Sequence, residues 1–443
     1  MSELDRLPNM VINNGNSSVS VGEVVFQTVL AIVAVLFGYP NMGQMAILIM
    51  TPFVVYMIAK MNALFMPALM IHCSSQTTVM YVAFFSMMIV CIFKANAFNV
   101  RGVRLVFRIL LLVMPFYIVL TIQRMVLDLD TWQVAFGYTC YYMSFWAFLY
   151  CFLISDTFNV RALKFIVWSI TVLYLFFAIF HIGQFSYLLN CFMYITLVYG
   201  VWFLLESKRV IIGVLLLVYS IPVFLLSQFG TFTFLLTAVY AIIVFWLWAK
   251  QKKLAAKITS VASFIVIAFL MVYGILNYNT VHYGNYADHM DFSSIESFLN
   301  RAKFKFFSDR APFWDAGLEQ LLVLKPVLPM HDIPNIIPVD RIEEVTFGAH
   351  NTPLQLMRIF GILAGGLLVV CYVVITNLAS KYFENYNMPS IEVPLIAIAI
   401  TNSIVLFLTG TAAMLPGFAL FSFGLMGIAV GKNCRFYGFY NGE

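Results

Sequence analysis

The chain has 443 residues, of which 62% are hydrophobic, 17% aromatic and only 10% charged. A soluble domain carries about 25% charged residues, and no soluble fold of this length can bury so much apolar surface. The formal net charge is +5, but no Lys/Arg tract with interleaved aromatic residues accompanies it, which argues against a nucleic-acid partner. The lipid bilayer is the expected solvent.

Runs of about 20 apolar residues match a hydrocarbon core of roughly 30 Å, and such runs recur along the chain. They predict thirteen transmembrane helices, at 22–38, 41–59, 78–93, 105–122, 136–154, 164–182, 187–205, 210–226, 231–248, 258–276, 353–377, 391–409 and 412–431. The expected fold is therefore an all-α polytopic membrane protein with about 12–14 transmembrane helices. Residues 1–276 would hold about ten spans, 277–352 a large external loop, and 353–443 about three spans.

The short connections alternate in Lys/Arg content, and basic connections stay in the cytoplasm. Basic connections lie at 94–104, 161–164, 208–209, 250–257, 381 and 432–435. The turns at 181–186, 227–230 and 409–413 carry no Lys or Arg, so they should face outward, as should the loop holding Arg124. Counting the spans between these connections makes 277–352 external as well. In the N-terminal third, 62–71 is either a short re-entrant segment or an additional crossing, which would place the N-terminus inside.

Two absences in the sequence bear on its chemistry. The seven cysteines fall mostly inside apolar spans, with no CxxC or Cys/His spacing, so we expect neither a disulfide framework nor a zinc site. The first 20 residues lack a basic segment followed by a short apolar one, so we expect no cleaved signal peptide.

The external loop is too long to be structureless, and two helices are predicted in it. Ser293 and Glu296 have the spacing of a capping box. The apolar residues that follow on one face of this amphipathic helix are Ile295, Phe298, Leu299, Ala302 and Phe306. Asp309 is the predicted N-cap of the second helix, whose apolar side would hold Trp314, Leu318, Leu321 and Leu322.

The end of this loop predicts a helix N-terminus on the outer side. Asn351 or Thr352 can cap the helix, and Pro353 suits its first turn. Among the four loop histidines an ordinary solvated role is favoured for each, but His350 stands just before this N-terminus, where N–H groups attract anions. Arg358 is costly in lipid unless it faces the bundle interior or a polar cavity, although it could also snorkel or pair.

A stripe of small residues follows on the same predicted helix. It consists of Gly361, Ala364 and Gly365. Small residues let helix backbones approach closely, so we expect close packing here.

Two strings carry a resemblance to a known family. The first is SDRAPFWDAGLEQL, with Arg310 and Trp314; the second is AHNTPLQLMRIFGILAG, in which His350 and Asn351 precede Gly361. At these residues, within 305–370, the sequence resembles the superfamily of O-antigen ligases and O-antigen polymerases. These are bacterial membrane enzymes that transfer glycans from an undecaprenyl-diphosphate carrier. The resemblance implies a GT-C-like membrane glycosyltransferase.

One departure from the family pattern concerns a second arginine, which members often carry in a Ser-Arg-Gly type string of an earlier periplasmic turn. The corresponding turn here reads SQFGTF, with Gln228 in that place. Either Arg124 or Arg301 supplies the charge, or this chain holds its donor differently.

The resemblance implies a set of roles for the site residues. Arg310 would stabilise the diphosphate leaving group with a bidentate guanidinium, and His350 would be the base for the acceptor hydroxyl or would bind the diphosphate itself. Asp309 and Asp315 would cap the helix or pair with Arg310. The residues expected to bind the diphosphate or the rest of the substrate are Arg301, Asn351, Arg358, Trp314 and Arg124. No metal and no cofactor is expected.

The first functional hypothesis is a polysaccharide polymerase in the bacterial inner membrane, with its large loop in the periplasm. Its partners would be an undecaprenyl-diphosphate-linked glycan, an acceptor glycan, the bilayer and a chain-length regulator protein. The alternative within the family is a ligase that moves the finished glycan onto lipid A core. From other classes, a flippase or other transporter, with Pro115, Pro222 and Arg108 as its candidate residues, and a non-catalytic assembly protein stay open.

Overall fold

The structure is a computed structural model that describes residues 19–75, 77–127, 140–158, 210–226, 253–278, 311–324, 351–385 and 416–436, with single helical positions between 162 and 204. All regular structure in these ranges is helical. Nine of the thirteen predicted segments coincide with described helices; those at 231–248 and 391–409 lie outside the described residues, and those at 164–182 and 187–205 largely so.

The main helices in chain order are α1 Val21–Val33, α2 Tyr39–Met42, α3 Gln44–Ala59, α4 Met66–Ser75, α5 Thr77–Phe93, α6 Arg101–Leu127, α7 Cys140–Leu153, α8 Val210–Leu226, α9 Lys253–Asn277, α10 Ala311–Leu324, α11 Thr352–Asn385 and α12 Pro416–Phe436. Within the described part, three stretches are long and apolar enough to cross a membrane: Val21–Met42, Arg101–Gln123 and Thr352–Ala379. Several shorter apolar helices accompany them. The all-α class is therefore confirmed for the described residues.

α1 and α3 form an antiparallel pair. A π-helical segment, Ala34–Gly38, joins α1 to α2, and Gly43 then turns the chain with a φ of 51°, a backbone conformation that glycine adopts without strain. At the other end of the pair, the Tyr56 hydroxyl donates a hydrogen bond to the carboxylate of Glu23. The start of α1 and the end of α3 therefore lie at the same face of the molecule.

α4 and α5 form a helical hairpin that begins and ends at that face. Before α4, the backbone N–H of Ala63 donates to the Thr157 hydroxyl over 2.9 Å. After α5, the ring of Phe98 lies 6.1 Å from the ring of Phe152. Phe152 lies at the end of α7 and Thr157 in the 3-10 helix Ile154–Thr157 that follows it, so the hairpin leaves this face and returns to it.

We call this the basic face, because the turns that meet there carry Lys60, Lys94 and Arg101. The pairing of α1 with α3 also brings residue 20 to it. The start of the described chain and the 94–104 connection therefore share one face. The two predicted alternatives for 62–71, a short re-entrant segment and an additional crossing, both stay predictions.

α6 and α7 run antiparallel through the core. The Tyr142 hydroxyl donates to the carbonyl of Leu110 over 2.9 Å, and the Tyr142 ring stacks on Tyr117 at 4.8 Å. Nearer the basic face, Phe107 meets Trp146 edge-on at 6.1 Å. α6 therefore leads away from the basic face and α7 leads back to it.

α12 packs against α7 in parallel at unusually short range. A Cβ atom on Gly427 would lie 3.0 Å from the backbone N of Phe152, and one on Gly431 would lie 2.6 Å from Cβ of Ser155. No side chain can fit between the two helices at these positions. This is the small-xxx-small packing of membrane helices, in which dispersion contacts between backbones replace the hydrophobic effect.

Candidate functional site

α11 is broken at Gly361, and the break positions the candidate site. Gly361 has φ 79° and ψ 165°, a backbone region that is essentially restricted to glycine. A Cβ atom on Gly365 would lie 2.6 Å from the carbonyl carbon of Leu356, whereas residues nine apart in a continuous helix are about 13.5 Å apart. The chain therefore folds back at Gly361 into a first arm, 352–360, and a second arm, 362–385.

The second arm runs from the far side of the bundle to the basic face. Next to the break, the ring of Phe360, the last residue of the first arm, lies 6.3 Å from the ring of Tyr142 at the start of α7. Lower down, the Cys371 thiol approaches the carbonyl of Val106 at 4.0 Å, and a Cβ atom on Gly102 would lie 2.8 Å from Leu378. The break at Gly361 therefore lies opposite the basic face, and the first arm folds back beside the second.

The first arm carries a polar face inside the protein. Asn351, Gln355 and Arg358 are four and three residues apart, so their side chains lie on one side of the helix, with Thr352 adjoining them. All four are buried, and Arg358 is only 9% exposed. Arg358 is therefore buried inside the protein, which is one of the alternatives that the sequence left open.

Asn351 caps the first arm. Its Oδ1 accepts a hydrogen bond from the backbone N–H of Leu354 at 2.9 Å, and its carbonyl accepts from the N–H of Gln355 at 2.9 Å. Its Nδ2 donates to the sulfur of Met271 on α9 at 3.3 Å. The predicted cap is confirmed, with Asn351 in that position and Thr352 as the first helical residue.

The Thr352 hydroxyl at this N-terminus has a different environment. Its Oγ1 is fully buried and has no hydrogen-bond partner among the described residues. A buried hydroxyl without a partner costs about 1–3 kcal/mol. Because Pro353 has no N–H and the Leu354 N–H is bonded to Asn351, this hydroxyl and the backbone N–H of Thr352 are the donors at the helix N-terminus that a ligand oxygen can use.

α9 and α10 form the wall next to the first arm. The Tyr278 hydroxyl, just after α9, donates to a carboxylate oxygen of Asp315 on α10 at 2.9 Å. Leu321 of α10 packs with Leu354 and Met357 of the first arm, and Trp314 is completely buried. Asp315, expected to cap or to pair with Arg310, has Tyr278 as its described donor.

The predicted helix in this part of the loop exists, and the residues predicted on its apolar side differ in burial. Leu318 is 42% and Leu322 is 64% exposed. The buried side follows Trp314 and Leu321, which are seven residues apart. On a helix of 3.6 residues per turn, Leu318 lies about 50° and Leu322 about 90° round from the mean direction of Trp314 and Leu321.

The structure brings together only part of the predicted site. Asn351 and Arg358 share one buried face, and the helix with Trp314 packs against it. Arg124 lies in the last turns of α6, away from the basic face. The other predicted site and capping residues lie outside the described residues: Arg301, Asp309, Arg310 and His350.

Three residues of this site were not singled out from the sequence. Gln355 could have been found, because a polar residue four after Asn351 and three before Arg358 in an apolar run marks one helix face. Met271 and Tyr278 carry no sequence signal, because their contacts depend on the packing of α9 against distant segments.

Compared with protein-family models, with curated proteins and with solved structures, the chain shows no match. In the described part of the chain, no three His, Cys, Asp or Glu side chains are grouped so as to hold a metal ion.

Proposed function

We propose that the chain is a polytopic membrane protein whose basic face lies in the cytoplasm. The three long apolar helices support this, as do large apolar side chains on the outer surface, such as Leu48 and Phe93, which is 85% exposed. Basic connections stay on the cytoplasmic side. The break in α11 then lies toward the periplasm of a bacterial inner membrane, and 277–352 is the large periplasmic loop.

In this membrane, we infer that the protein joins oligosaccharide repeat units carried on undecaprenyl diphosphate, as a surface-polysaccharide polymerase. The observation that carries the inference is the buried polar face at the N-terminus of the broken helix α11. Broken helices are tolerated at membrane depth only where protein or a water-filled cavity surrounds them. Buried polar residues there mark substrate sites by default, and a helix N-terminus beside an arginine suits a diphosphate.

The chemistry uses these residues with the two that the family resemblance adds. The acceptor hydroxyl attacks the anomeric carbon, the bond from that carbon to the diphosphate oxygen breaks, and the hydroxyl proton passes to His350. Arg310 and Arg358 neutralise the charge that develops on the leaving diphosphate. The hydroxyl and the backbone N–H of Thr352 offer further donors, while Asn351 holds the turn in place.

The first experiment measures glycan chain length on gels with Arg310→Ala, His350→Ala and Arg358→Gln variants. Loss of long chains with single-repeat glycans retained is the expected result. Lys60→Gln, which removes a positive charge at the basic face instead, is the control and should leave the ladder intact. Unchanged ladders in the three site variants, at normal protein levels, would overturn the assignment.

The same gels separate the ligase alternative. A ligase uses the same donor and the same charge stabilisation, but its acceptor is lipid A core. Loss of every attached glycan in the site variants, rather than of long chains alone, would therefore assign the protein to ligation.

A transporter is the second candidate, because broken helices with N-termini aimed at anionic groups are also typical of secondary transporters. The two are distinguished by where lipid-linked repeat units accumulate in an Arg358→Gln strain. A polymerase defect leaves them in the outer leaflet, open to a glycosidase added to spheroplasts. A flippase defect leaves them protected in the inner leaflet.

A further inference from the structure

A row of arginines on α6 forms a separate feature at the basic face. Arg101, Arg104 and Arg108 are three and four residues apart, so they lie on one side of the helix, and all three are exposed. They cover about 10.5 Å of helix length. Three cationic guanidinium groups therefore line one strip of outer surface.

The middle arginine is fixed by the turn before the helix. The Nε of Arg104 donates to the carbonyl of Phe98 at 3.0 Å, and an Nη2 hydrogen donates to the carbonyl of Asn99 at 3.3 Å. A guanidinium has five N–H donors, and these two bonds use two of them. Arg104 is thus held in place with donors left for an anion.

The surface next to this row is apolar. Leu105 is 44% and Leu112 59% exposed, and both lie within one helical turn of an arginine. An inorganic phosphate would use only the charges. A phospholipid would use both parts, with its phosphate on the arginines and an acyl chain along the leucines.

We propose that Arg101, Arg104 and Arg108 form a binding site for an anionic phospholipid of the leaflet at the basic face. The proposal rests on the membrane placement given under Proposed function and is independent of glycosyl transfer. Each arginine in contact with the anionic headgroup contributes roughly fivefold in affinity, so removing two of the row should weaken binding by about 25-fold, whereas a lysine outside the row makes no such contact.

The experiment titrates the full-length protein, purified in a neutral detergent, with phosphatidylglycerol or phosphatidylcholine and follows its unfolding temperature. The main variant is the double change Arg101→Gln/Arg108→Gln. The two single variants, Arg101→Gln and Arg108→Gln, replace it if the double variant folds poorly. The matched control is Lys60→Gln/Lys432→Gln, which removes the same charge from the same face. Inorganic phosphate is titrated in parallel.

We expect phosphatidylglycerol alone to raise the unfolding temperature, with its half-maximal concentration about 25-fold higher in the arginine double variant and almost unchanged in the lysine control. If both double variants bind phosphatidylglycerol equally weakly, the attraction is a general effect of positive charge, and the proposed site is contradicted. An equal effect of phosphatidylcholine or of inorganic phosphate would also overturn it. A normal glycan ladder in the arginine variants distinguishes failure of this site from failure of the proposed enzyme.

Discussion

A methyl group added at Gly365 tests the fold-back of α11 directly. In the structure this atom would lie 2.6 Å from the carbonyl carbon of Leu356, whereas Gly366 has no neighbouring atom within 4 Å. Ordinary contacts begin at 3.4 Å, so the two arms would have to separate by roughly 1 Å against backbone atoms. Overpacking of this kind costs about 1–3 kcal/mol.

The pair Gly365→Ala and Gly366→Ala isolates this cost. Replacing glycine by alanine in a helix is favourable by about 1 kcal/mol, and this gain is the same for both neighbours. The free energy of unfolding should therefore be about 1–3 kcal/mol lower for Gly365→Ala than for Gly366→Ala. Unfolding by SDS in mixed micelles measures the difference. If the two variants agree within experimental error, the first arm does not lie against the second.

Three further predictions concern the close contact at Gly427, the helix cap at Asn351 and the positive φ at Gly361. Gly427→Ala should lower the free energy of unfolding by about 1–3 kcal/mol, because the new methyl group meets the backbone of Phe148; SDS titration measures it, and an unchanged midpoint would contradict the close packing. Asn351→Ala should cost about 0.5–2 kcal/mol through the lost cap, and Asn351→Ser, which keeps a neutral capping oxygen at this buried position, should restore most of it in the same titration. Gly361→Ala should cost about 1–3 kcal/mol; a wild-type value would show that the chain does not need this φ.

Hydropathy predicted where the helices lie, because each lipid-crossing segment satisfies its own backbone hydrogen bonds and its pattern is local. The segments at 78–93 and 210–226 match α5 and α8 closely. The cap at Asn351 was predictable for the same reason, since an N-cap depends on its own next three residues.

The break in α11 could not be predicted in this way. Gly361, Ala364 and Gly365 were expected to admit another helix, and the element that approaches Gly365 is the chain's own first arm. The stripe shows that a backbone comes close but does not show which one, because apolar helices of similar length are interchangeable in a hydropathy profile. In addition, the sequence does not distinguish a glycine with a positive φ, such as Gly361, from a glycine selected for close packing.

The sequence shows which residues form the polar face of the first arm, but it does not show where in the protein that face lies. Arg358 was expected to face the interior or a cavity, from the cost of a charge in lipid. That Gln355 joins it, and that Met271 of α9 binds the capping side chain, follow from the fold-back and from α9 packing beside it. Such contacts join segments about 80 residues apart, and no local pattern encodes them.

The fold-back of α11 buries polar side chains at a cost in free energy, and this cost needs a physical reason. An unbroken α11 could cross a membrane by itself with its second arm alone, since residues 362–385 span about 36 Å. The first arm therefore adds nothing to the crossing, yet it brings Arg358, Gln355 and Thr352 into the interior at the expense of their hydration. A segment that bears this cost without serving the crossing is best explained by a ligand. Under the proposed function that ligand is a diphosphate, whose oxygen atoms would accept hydrogen bonds from the Thr352 N–H and hydroxyl and from the Arg358 guanidinium.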